Sequence, residues 1–374
     1  MRFTLSSSAL NSRLSVLSRV INSKNSLPIL DYFLFEVLGS QLTITASDSE
    51  TVMKTTIQLD DVEGEGNFAV KNRTILDAVK ELPEQPLTLD IDMESYTIKV
   101  IYQNGIYNFT AQNADEYPHT QGIGDAASQI VIDSEVLGNN ITRTIFATAQ
   151  DELRPVMGGI YFDLTTDALA IVASDGHKLV RNKIFTITSE QPAAFILPKK
   201  PAMLLKNVLQ KDGGDVTIRF DERNAEITFG ESVLTCRLIE GRYPNYNSVI
   251  PQDNPNQITI DRRAMLSALR RVLPFASDSS QLVRLRIDPG KLTLSSEDID
   301  FSTSAKEEIT CDYNGIPMSI GFKGSSLSEI LNNLSSEQIV IELADPSRAG
   351  LIVPSEQPEN EDVLMLIMPM LLND

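Results

Sequence analysis

The stretch "GIYFDLTTDALAIVASDGH" at residues 159–177 alternates apolar and polar residues on both sides of a turn at Asp167. Such alternation predicts two antiparallel strands that form a hairpin with one buried face. The same pattern occurs in "YFLFEVLGSQLTITASDSE" at 32–50 and in "VRLRIDPGKLTLSSEDID" at 283–300. Three copies of one hairpin in a single chain indicate an internal repeat.

A second series of segments has nearly the same spacing as the hairpins. The helix-like segments "RTILDAVKEL", "PAMLLKNVL" and "SLSEILNNL" end at Leu82, Leu209 and Leu334, which are 127 and 125 residues apart. A serine near the end of each hairpin recurs after 127 and 122 residues. The repeat is therefore a whole domain, and turn-rich segments between the copies predict three domains at 1–124, 125–252 and 253–374.

Each unit is also predicted to open with an amphipathic helix. Apolar residues at helical spacing form one face in the first unit (Leu10, Leu14, Leu17, Ile21) and in the third (Met265, Leu269, Val272, Leu273). Asp133 and Asp261 are placed as N-caps of the second and third opening helices. The predicted order is helix, strands, helix, strands in each unit, which is an α+β fold. The predicted helices cover 6–24, 71–82, 134–150, 199–211, 261–277 and 323–334.

Positive charge is concentrated in these six predicted helices. Together they carry a formal charge of +11, whereas the remainder of the chain carries −30, which gives the net charge of −19. In the third opening helix Arg263, Arg270 and Arg271 lie opposite the apolar stripe and are expected to point outward. The pattern favours a basic surface that attracts phosphate groups. An alternative is that Lys and Arg are simply solvated helix formers, although the shortage of Glu disfavours it.

Composition excludes several other classes of protein. Cys236, Cys311, His119 and His177 have no metal-site spacing, so neither a disulfide framework nor a structural zinc site is expected. The apolar run "VLMLIMPMLL" at 363–372 is half the length of a bilayer span, and the N-terminus lacks a signal-peptide pattern. We therefore expect a cytoplasmic protein.

Two other functions remain open from the residues alone. "DIDME" at 90–94 places Asp90, Asp92 and Glu94 on one face of a strand, where carboxylates could hold Mg²⁺ in an enzyme. A solvated strand face explains them more simply, and no P-loop, GxSxG, HExxH or GxGxxG motif accompanies them. His177 in "SDGH" is expected to be structural, since no nucleophile motif adjoins it. The third class is an acidic, β-rich adaptor that does not bind DNA.

Four short motifs, placed in order within the repeats, carry a family resemblance. They are "LPIL" at 27–30, "ASDGHKL" at 173–179, "GRYPNY" at 241–246 and "MPM" at 368–370. With them, essentially the whole chain resembles the bacterial sliding clamps, the DNA polymerase III beta subunit family. The resemblance implies a head-to-tail homodimer of three-domain chains, closed into a ring whose hole is lined by twelve helices. Helices about 9 Å apart leave a hole of roughly 25 Å, which admits duplex DNA.

The resemblance also implies partners and a mode of action. Duplex DNA would be held by topology and by contacts that carry no sequence information. The replicative polymerase, the clamp loader and repair proteins would bind through short linear motifs. No catalytic residue, metal or cofactor is implied.

The matching positions of the family's functional residues fall into three groups. Those implied near DNA are Lys24, Lys71, Arg73, Arg143, Arg154, Lys199 and Lys200. Those implied in the partner groove are Met157, Ser174, Gly176, His177, Lys178, Leu179, Pro244, Val249, Leu366, Ile367, Met368, Pro369 and Met370. Those implied at the dimer interface are Ile75, Leu76, Val79, Pro274 and Phe275.

The chain departs from the family pattern at two places. Pro155 and Val156 stand where a tyrosine pair follows the matching arginine in the family, so the family's aromatic DNA contact does not carry over to this place. Leu371, followed by Leu372, Asn373 and Asp374, stands where an arginine commonly follows "MPM". Within the terminal run, Pro369 is expected to end strand pairing and to turn the Met-rich tail toward the groove.

Overall fold

The computed structural model describes residues 1–118, 122–124, 127–151 and 153–372, without the side chains of residues 210–212. His119, Asn373 and Asp374 lie outside the described residues. The chain divides into two compact units. Unit 1 contains Met1–Gly138 and Lys200–Leu238, and unit 2 contains Asn139–Lys199 and Ile239–Asp374.

The three repeats contain equivalent elements in the same order, apart from the short additional strand β5 of the first repeat. The first repeat consists of β1 (Arg2–Ser6), α1 (Ser7–Leu17), β2 (Tyr32–Leu38), β3 (Gln41–Ser47), β4 (Thr51–Gln58), β5 (Asp61–Glu63), β6 (Gly66–Lys71), α2 (Asn72–Val79), β7 (Pro86–Asp92), β8 (Thr97–Tyr102) and β9 (Gly105–Thr110). The second consists of β10 (Ser128–Asp133), α3 (Ser134–Ile145), β11 (Gly159–Leu164), β12 (Leu169–Ser174), β13 (Lys178–Ile184), β14 (Ala193–Pro198), α4 (Lys199–Asp212), β15 (Asp215–Phe220), β16 (Asn224–Phe229) and β17 (Ser232–Arg237).

The third repeat has the same order as the second. It consists of β18 (Asn256–Asp261), α5 (Arg262–Val272), β19 (Leu282–Asp288), β20 (Lys291–Asp298), β21 (Thr303–Thr310), β22 (Met318–Lys323), α6 (Gly324–Asn333), β23 (Gln338–Leu343), β24 (Gly350–Pro354) and β25 (Glu361–Ile367). The predicted α+β fold with a repeated pair of helices is confirmed. One element was missed, because each repeat begins with a strand before its first helix.

The opening helices are shorter than predicted. α1 ends at Leu17 rather than at 24, because the Ser, Val, Ile and Asn residues that follow are weak helix formers. A turn from Leu17 O to Val20 N then buries Val20, while Ile21 stays partly exposed. α5 ends at Val272, because Pro274 cannot donate to a further helical turn, and Leu273–Phe275 form a 3-10 turn.

The predicted caps are confirmed, and so are the apolar stripes except at Ile21 and Leu273, which lie beyond the ends of α1 and α5 and are only partly buried. The Asp261 carboxylate accepts a hydrogen bond from Ala264 N at 2.6 Å, and Asp133 accepts one from Val136 N at 3.1 Å. Met265, Leu269 and Val272 are buried with strands of the third repeat, whereas Arg263, Arg270 and Arg271 are exposed. The arginines of α5 therefore lie opposite its apolar face, as predicted.

Each unit contains one eight-stranded sheet and one smaller sheet, with antiparallel neighbours throughout. In unit 1 the sheets are β10-β15-β16-β17-β4-β3-β2-β6 and β5-β1-β7-β8-β9. In unit 2 they are β14-β11-β12-β13-β25-β24-β23-β18 and β21-β20-β19-β22. Each large sheet thus joins strands of two consecutive repeats, which explains why the compact units cut across the second repeat.

The two junctions between repeats use equivalent strands. In unit 1 β17 pairs with β4, and in unit 2 β25 pairs with β13. The same backbone hydrogen bond closes both junctions, from Arg237 N to Glu50 O at 2.9 Å and from Met368 N to His177 O at 2.8 Å. The counterparts of these strands in the other two sheets are β9 and β21, and each lies at the end of its sheet. Both edges are therefore open for pairing.

A search for membrane-spanning helices among the described residues found none of sufficient length and apolarity.

Candidate functional site

One face of the large sheet in unit 2 carries a cluster of aromatic and aliphatic side chains. Tyr161 and Tyr243 stack with ring centroids 4.6 Å apart, and Tyr246 meets Tyr161 edge-on at 6.2 Å. The Tyr246 hydroxyl donates to Asp163 Oδ2 at 2.8 Å, and burial raises the pKa of Tyr243 and of Tyr246 above the usual range. These tyrosines are therefore neutral, rigid parts of the cluster.

Strand alternation decides which of the predicted groove residues belong to this face. Leu179 of β13 and Leu366 of β25 lie in the tyrosine cluster, and they face each other in the strand pair. Their neighbours Lys178 and Ile367 point to the opposite face, since successive side chains in a strand alternate. Ile367 is in the core beneath α5 and α6. The assignment of Lys178 and Ile367 to the groove lining is therefore wrong.

Lys178 instead ties the β12–β13 turn to α6. Its ammonium group lies 2.6 Å from Asp175 Oδ2 and 3.2 Å from Glu329 Oε2. Burial tends to raise the pKa of Asp175, but the hydrogen bond from Lys178 and two backbone donors outweigh it and leave that pKa lowered. Both groups are consequently charged near neutral pH, and the ion pairs of Lys178 hold the turn against α6.

The turn between β12 and β13 forms one lip of the candidate groove. Gly176 has φ of +88°, a conformation that favours glycine, and its N–H donates to Ser174 Oγ at 3.1 Å. His177 N donates to Asp175 Oδ1 at 2.9 Å, and the His177 side chain is exposed. The structure gives His177 a backbone role at the lip, since its carbonyl accepts from Met368 N.

The C-terminal tail leaves the sheet beside this lip. β25 ends at Ile367, and Pro369 has no N–H with which to continue the ladder. Met370 N then donates to Gly321 O of β22 at 2.7 Å. Met368 stays 42% exposed next to His177, and Leu371 is 86% exposed. Pro369 therefore ends strand pairing as predicted, but Met370 is anchored on the smaller sheet of unit 2.

The remaining predicted groove residues divide into floor and rim. Met157 and Ser174 are buried, whereas Pro244 and Val249 are exposed. Val249 ends a 3-10 turn that Tyr246 and Ile250 attach to the tyrosine cluster. The groove thus has a buried apolar floor and an exposed rim of mixed chemistry, an arrangement typical of peptide sites.

Arg154 lies at this groove. Its Nη2 is 2.6 Å from Asp151 Oδ2, and its Nη1 would lie only 2.6 Å from a Cβ placed on Gly176. The hydrogen bond to Asp151 raises the pKa of Arg154, so the guanidinium is a fixed charge. Val156 packs against the tyrosine cluster, and Pro155 is exposed. The segment 154–156 is therefore part of the groove wall.

The other residues predicted to contact DNA differ in whether a partner within the fold neutralises their charge. Lys24, Lys71 and Arg73 of unit 1 are exposed, and Lys71 and Arg73 line a polar cleft of about 480 Å³ with the loop after α1. Lys200 instead donates to Val20 O, Asn22 Oδ1 and Asp48. In unit 2 Arg143 is paired with Glu361 at 2.6 Å.

Lys199 of unit 2 is partly buried and, in the part of the chain that the structure describes, forms no ion pair. Lys24, Lys71 and Arg73 likewise form no ion pair there. Lys200, Arg143 and Arg154 are held by carboxylates, so these three have lost much of their long-range attraction for phosphate.

The predicted interface residues are partly in the core. Ile75 and Val79 are fully buried on the inner face of α2, so neither side chain can contact a second copy. That part of the interface prediction is wrong, because the amphipathic period of α2 turns these two positions inward. Leu76 is half-buried, Pro274 is exposed and Phe275 is 40% exposed.

The acidic strand segment shows no metal-site geometry. Asp92 accepts hydrogen bonds from Ser95 Oγ and Glu94 N and so closes the β7–β8 turn, and Asp90 lies opposite Lys99 in the strand pair. Among the described residues, no group of three or more His, Cys, Asp or Glu side chains is placed to hold a metal ion.

Sequence reasoning missed the aromatic floor of the groove. Tyr161, Tyr243 and Tyr246 were visible in "GIYFDL" and "GRYPNY", but only Pro244 was assigned from the second motif. The available signal was the alternation in β11, which places Tyr161 on the face opposite Ile160 and Phe162.

Comparisons with known proteins agree across the whole chain. Family models of the DNA polymerase III beta subunit match at its N-terminal domain (residues 1–121), central domain (131–245) and C-terminal domain (247–371). The chain is 28% identical to the beta sliding clamp of Pseudomonas putida, with all of both chains covered.

Solved structures show the same similarity. A Pseudomonas aeruginosa sliding clamp bound to griselimycin has a TM-score of 0.93 at 26% identity, with all of both chains covered. The beta subunit from Thermotoga maritima has a TM-score of 0.90 at 26% identity, also with full coverage.

Proposed function

Because this chain belongs to the family of the DNA polymerase III beta subunit, we propose that it encircles duplex DNA as a sliding clamp. It is a processivity factor rather than an enzyme, and it tethers the replicative polymerase and repair proteins to the duplex. The acidic adaptor and the carboxylate–metal enzyme are not favoured, since the family match spans all three repeats. Its place of action is the cytoplasm, where bacterial DNA lies.

The observation that carries this proposal is the pair of open sheet edges. Both repeat junctions within the chain pair a strand equivalent to β9 with a strand equivalent to β21. In a head-to-tail dimer, β9 of each chain can pair with β21 of the other chain. Two identical heterologous contacts close a ring of six repeats, and no open sheet edge of this kind remains.

Internal equivalence also predicts the register of this contact. β9 corresponds to β17 and β21 corresponds to β4, because each lies in an equivalent hairpin. Leu234 lies opposite Met53 in the junction of unit 1, which places Tyr107 opposite Ala305 of the second copy. Leu76, Pro274 and Phe275 are proposed to flank this strand pair.

The domain boundaries at 124 and 252 are kept as part of the same proposal. Each proposed domain, 1–124, 125–252 or 253–374, contributes strands to two sheets. One sheet is shared with the preceding domain of the ring and the other with the following domain. The large sheets then cross domain boundaries inside the chain, and the smaller sheets are completed by the second copy.

We propose that DNA is attracted by four cations that are not assigned to the interface, namely Lys24, Lys71, Lys199 and Arg263. Lys24, Lys71 and Arg263 are exposed and Lys199 is partly buried, and all four lie on or beside helices. Arg143, Arg154 and Lys200 are proposed to act structurally, since carboxylates already neutralise them. Arg73 is better placed as an interface cation, as its repeat equivalent Lys200 holds Asp48 across a junction.

We expect the Lys24→Gln/Lys71→Gln variant to bind duplex DNA more weakly and with less salt dependence. Two lost phosphate contacts lower the slope of log K against log[salt] by about 1.8. Fluorescence anisotropy with a labelled 40-base-pair duplex measures both quantities. An Arg286→Gln/Lys291→Gln variant removes the same charge from strands whose cations are paired with acids, so its slope should stay unchanged. Equal slopes for the two variants would contradict the assignment.

Topological retention tests the proposed function itself. After loader-assisted assembly on nicked circular DNA, the protein should co-elute with DNA, and linearising the circle should release most of it within minutes. Gel filtration of labelled protein before and after restriction cleavage measures the retained fraction. Equal retention on circular and linear DNA would show that ordinary binding, and not encirclement, holds the protein.

The tyrosine-floored groove is proposed as the docking site for polymerase, loader and repair proteins. Its exposed rim, formed by His177, Pro244, Val249 and Met368, borders a buried floor that includes Tyr243, Leu179 and Leu366, and the buried Met157 is proposed to join this floor. An apolar linear motif fits this arrangement, because flexible Met side chains adapt to varied partners. A peptide of this kind is expected to bind with a Kd of about 1 μM.

A further inference from the structure

The β20–β21 turn displays two large apolar side chains in solvent. Ile299 is 82% exposed and Phe301 is 78% exposed. The turn is ordered, since Phe301 N donates to Asp298 Oδ1 at 3.1 Å and Ser302 N donates to Ile299 O at 3.3 Å. Adjacent exposed apolar groups held on an ordered turn are typical of a contact surface.

The equivalent turns of the other two repeats have different chemistry. They carry Asp48, Ser49 and Glu50 in the first repeat and Asp175, Gly176 and His177 in the second. In both, the turn lies at a junction, where its carbonyl accepts a backbone hydrogen bond from the next repeat. The turn of the third repeat adjoins the open edge of β21, and no further repeat follows it in the chain.

The third hairpin also extends further than the first. Paired residues run from Lys291↔Thr310 to Asp298↔Thr303, whereas the β3–β4 pairing ends at Ser47↔Val52, one pair earlier. Because of this extra pair, the apolar turn projects further along the hairpin than the first-repeat turn that lies at a junction. An open cleft of about 740 Å³, lined in part by Leu282, Ile299 and Ala305, lies alongside it.

We propose that Ile299 and Phe301 anchor the first repeat of a second copy of this chain. The inference rests on the proposed ring and adds a contact that neither strand pairing nor the repeat pattern requires. Apolar surface continues along both edges, since Ile106 of β9 is 56% exposed and Phe275 is also exposed.

Charge complementarity supports the same occupant. Glu297, Asp298 and Asp300 adjoin the two apolar side chains of the turn, whereas the first repeat presents Arg73, the proposed interface cation, in the first turn of α2. In the described residues, none of these three acids forms an ion pair within the chain. The turn therefore offers an apolar anchor with an acidic border to a basic helix start.

The test is the dimer dissociation constant of an Ile299→Ser/Phe301→Ser variant of the full chain. Sedimentation velocity over a dilution series should show a Kd raised at least about tenfold, because the truncation acts at both interfaces of the ring. The conservative Ile299→Val/Phe301→Leu variant should stay within about threefold of the wild type. Leu38→Ser removes an apolar residue that is 73% exposed on another turn and should leave the Kd unchanged.

The outcomes separate this inference from the proposed function. A serine variant with the wild-type Kd would overturn the anchor and leave the ring intact. A wild-type chain that sediments as a monomer at every concentration would overturn both. Thermal unfolding of the serine variant should match the wild type at concentrations where both are monomeric, because the two side chains contribute nothing to the core.

Discussion

Arg73→Glu should raise the dimer dissociation constant on the order of a hundredfold, and adding Asp298→Arg to the same chain should restore part of the lost affinity, because the opposite charges are recreated while the hydrogen bond from Phe301 N to the Asp298 carboxylate is lost. In unit 1 Lys200 contacts Asp48 across the repeat junction. Arg73 lies 127 residues before Lys200, and Asp298 closes the third hairpin turn as Asp48 closes the first. The ring therefore places Arg73 of one chain beside Asp298 of the other.

The size of this effect follows from the symmetry of the ring. A like-charge contact costs about 1.5 kcal/mol at each interface, and a head-to-tail dimer contains two, so the loss is about 3 kcal/mol. The double variant recreates an opposite pair at both interfaces with reversed polarity. Sedimentation velocity at two salt concentrations measures the Kd and its electrostatic share.

Lys24→Glu is the matched control for this experiment. It makes the same charge change on an exposed cation of unit 1 that forms no ion pair among the described residues and is proposed to face DNA rather than the second copy. Its dimer Kd should remain within about twofold of the wild type. A double variant that is no better than Arg73→Glu alone would rule out this register of the interface.

Local patterns predicted the repeat and its elements well because they depend on few residues at a time. Period-two hairpins and amphipathic helices recur at constant spacing, and an aspartate cap marks the start of α3 and α5. Helix ends were less predictable, as at Leu17, where weak helix formers and the burial of Val20 decide the end. The pairing of β17 with β4 and of β13 with β25 is non-local, and no window of sequence contains both partners.

The groove was predictable in position but less so in detail. The resemblance brought the "SDGHKL" turn and the terminal Met residues to one region, and the tail does meet the turn through Met368 N and His177 O. The resemblance did not indicate which face of its strand each side chain occupies, so Lys178 and Ile367 were assigned to the wrong face. Knowing that Leu179 and Leu366 are cross-strand neighbours would have settled both by alternation.

The net charge of the helices does not indicate which cations are available to bind DNA. That depends on whether each cation is paired with a carboxylate in the fold. The sequence distinguishes basic helices from acidic strands, but it does not show which cations have partners. Lys200, Arg143 and Arg154 are each paired with a carboxylate that lies in a loop or a strand. Lys24 and Lys71 keep their charge exposed, so the effective basic surface is smaller than the helical count suggests.

Met368→Asp should weaken binding of a polymerase-derived peptide by at least about thirtyfold and leave the dimer Kd unchanged. Met368 follows directly after the strand that supplies Leu366 to the groove floor, and its side chain is 42% exposed beside His177. A carboxylate there would be desolvated by an apolar peptide, which costs about 2 kcal/mol or more. The backbone bond to His177 O is kept, so the tail should stay in place.

The measurement is fluorescence polarisation with a labelled peptide that carries the clamp-binding segment of the replicative polymerase. Leu371→Asp is the matched control, because Met370 and Leu372 face Gly321 while Leu371 is 86% exposed and points away. Its effect on the peptide Kd should be less than about threefold. Deleting residues 368–374 should abolish binding altogether. Equal losses for Met368→Asp and Leu371→Asp would mean that the peptide contacts the tail along its whole length, beyond the tyrosine-floored groove.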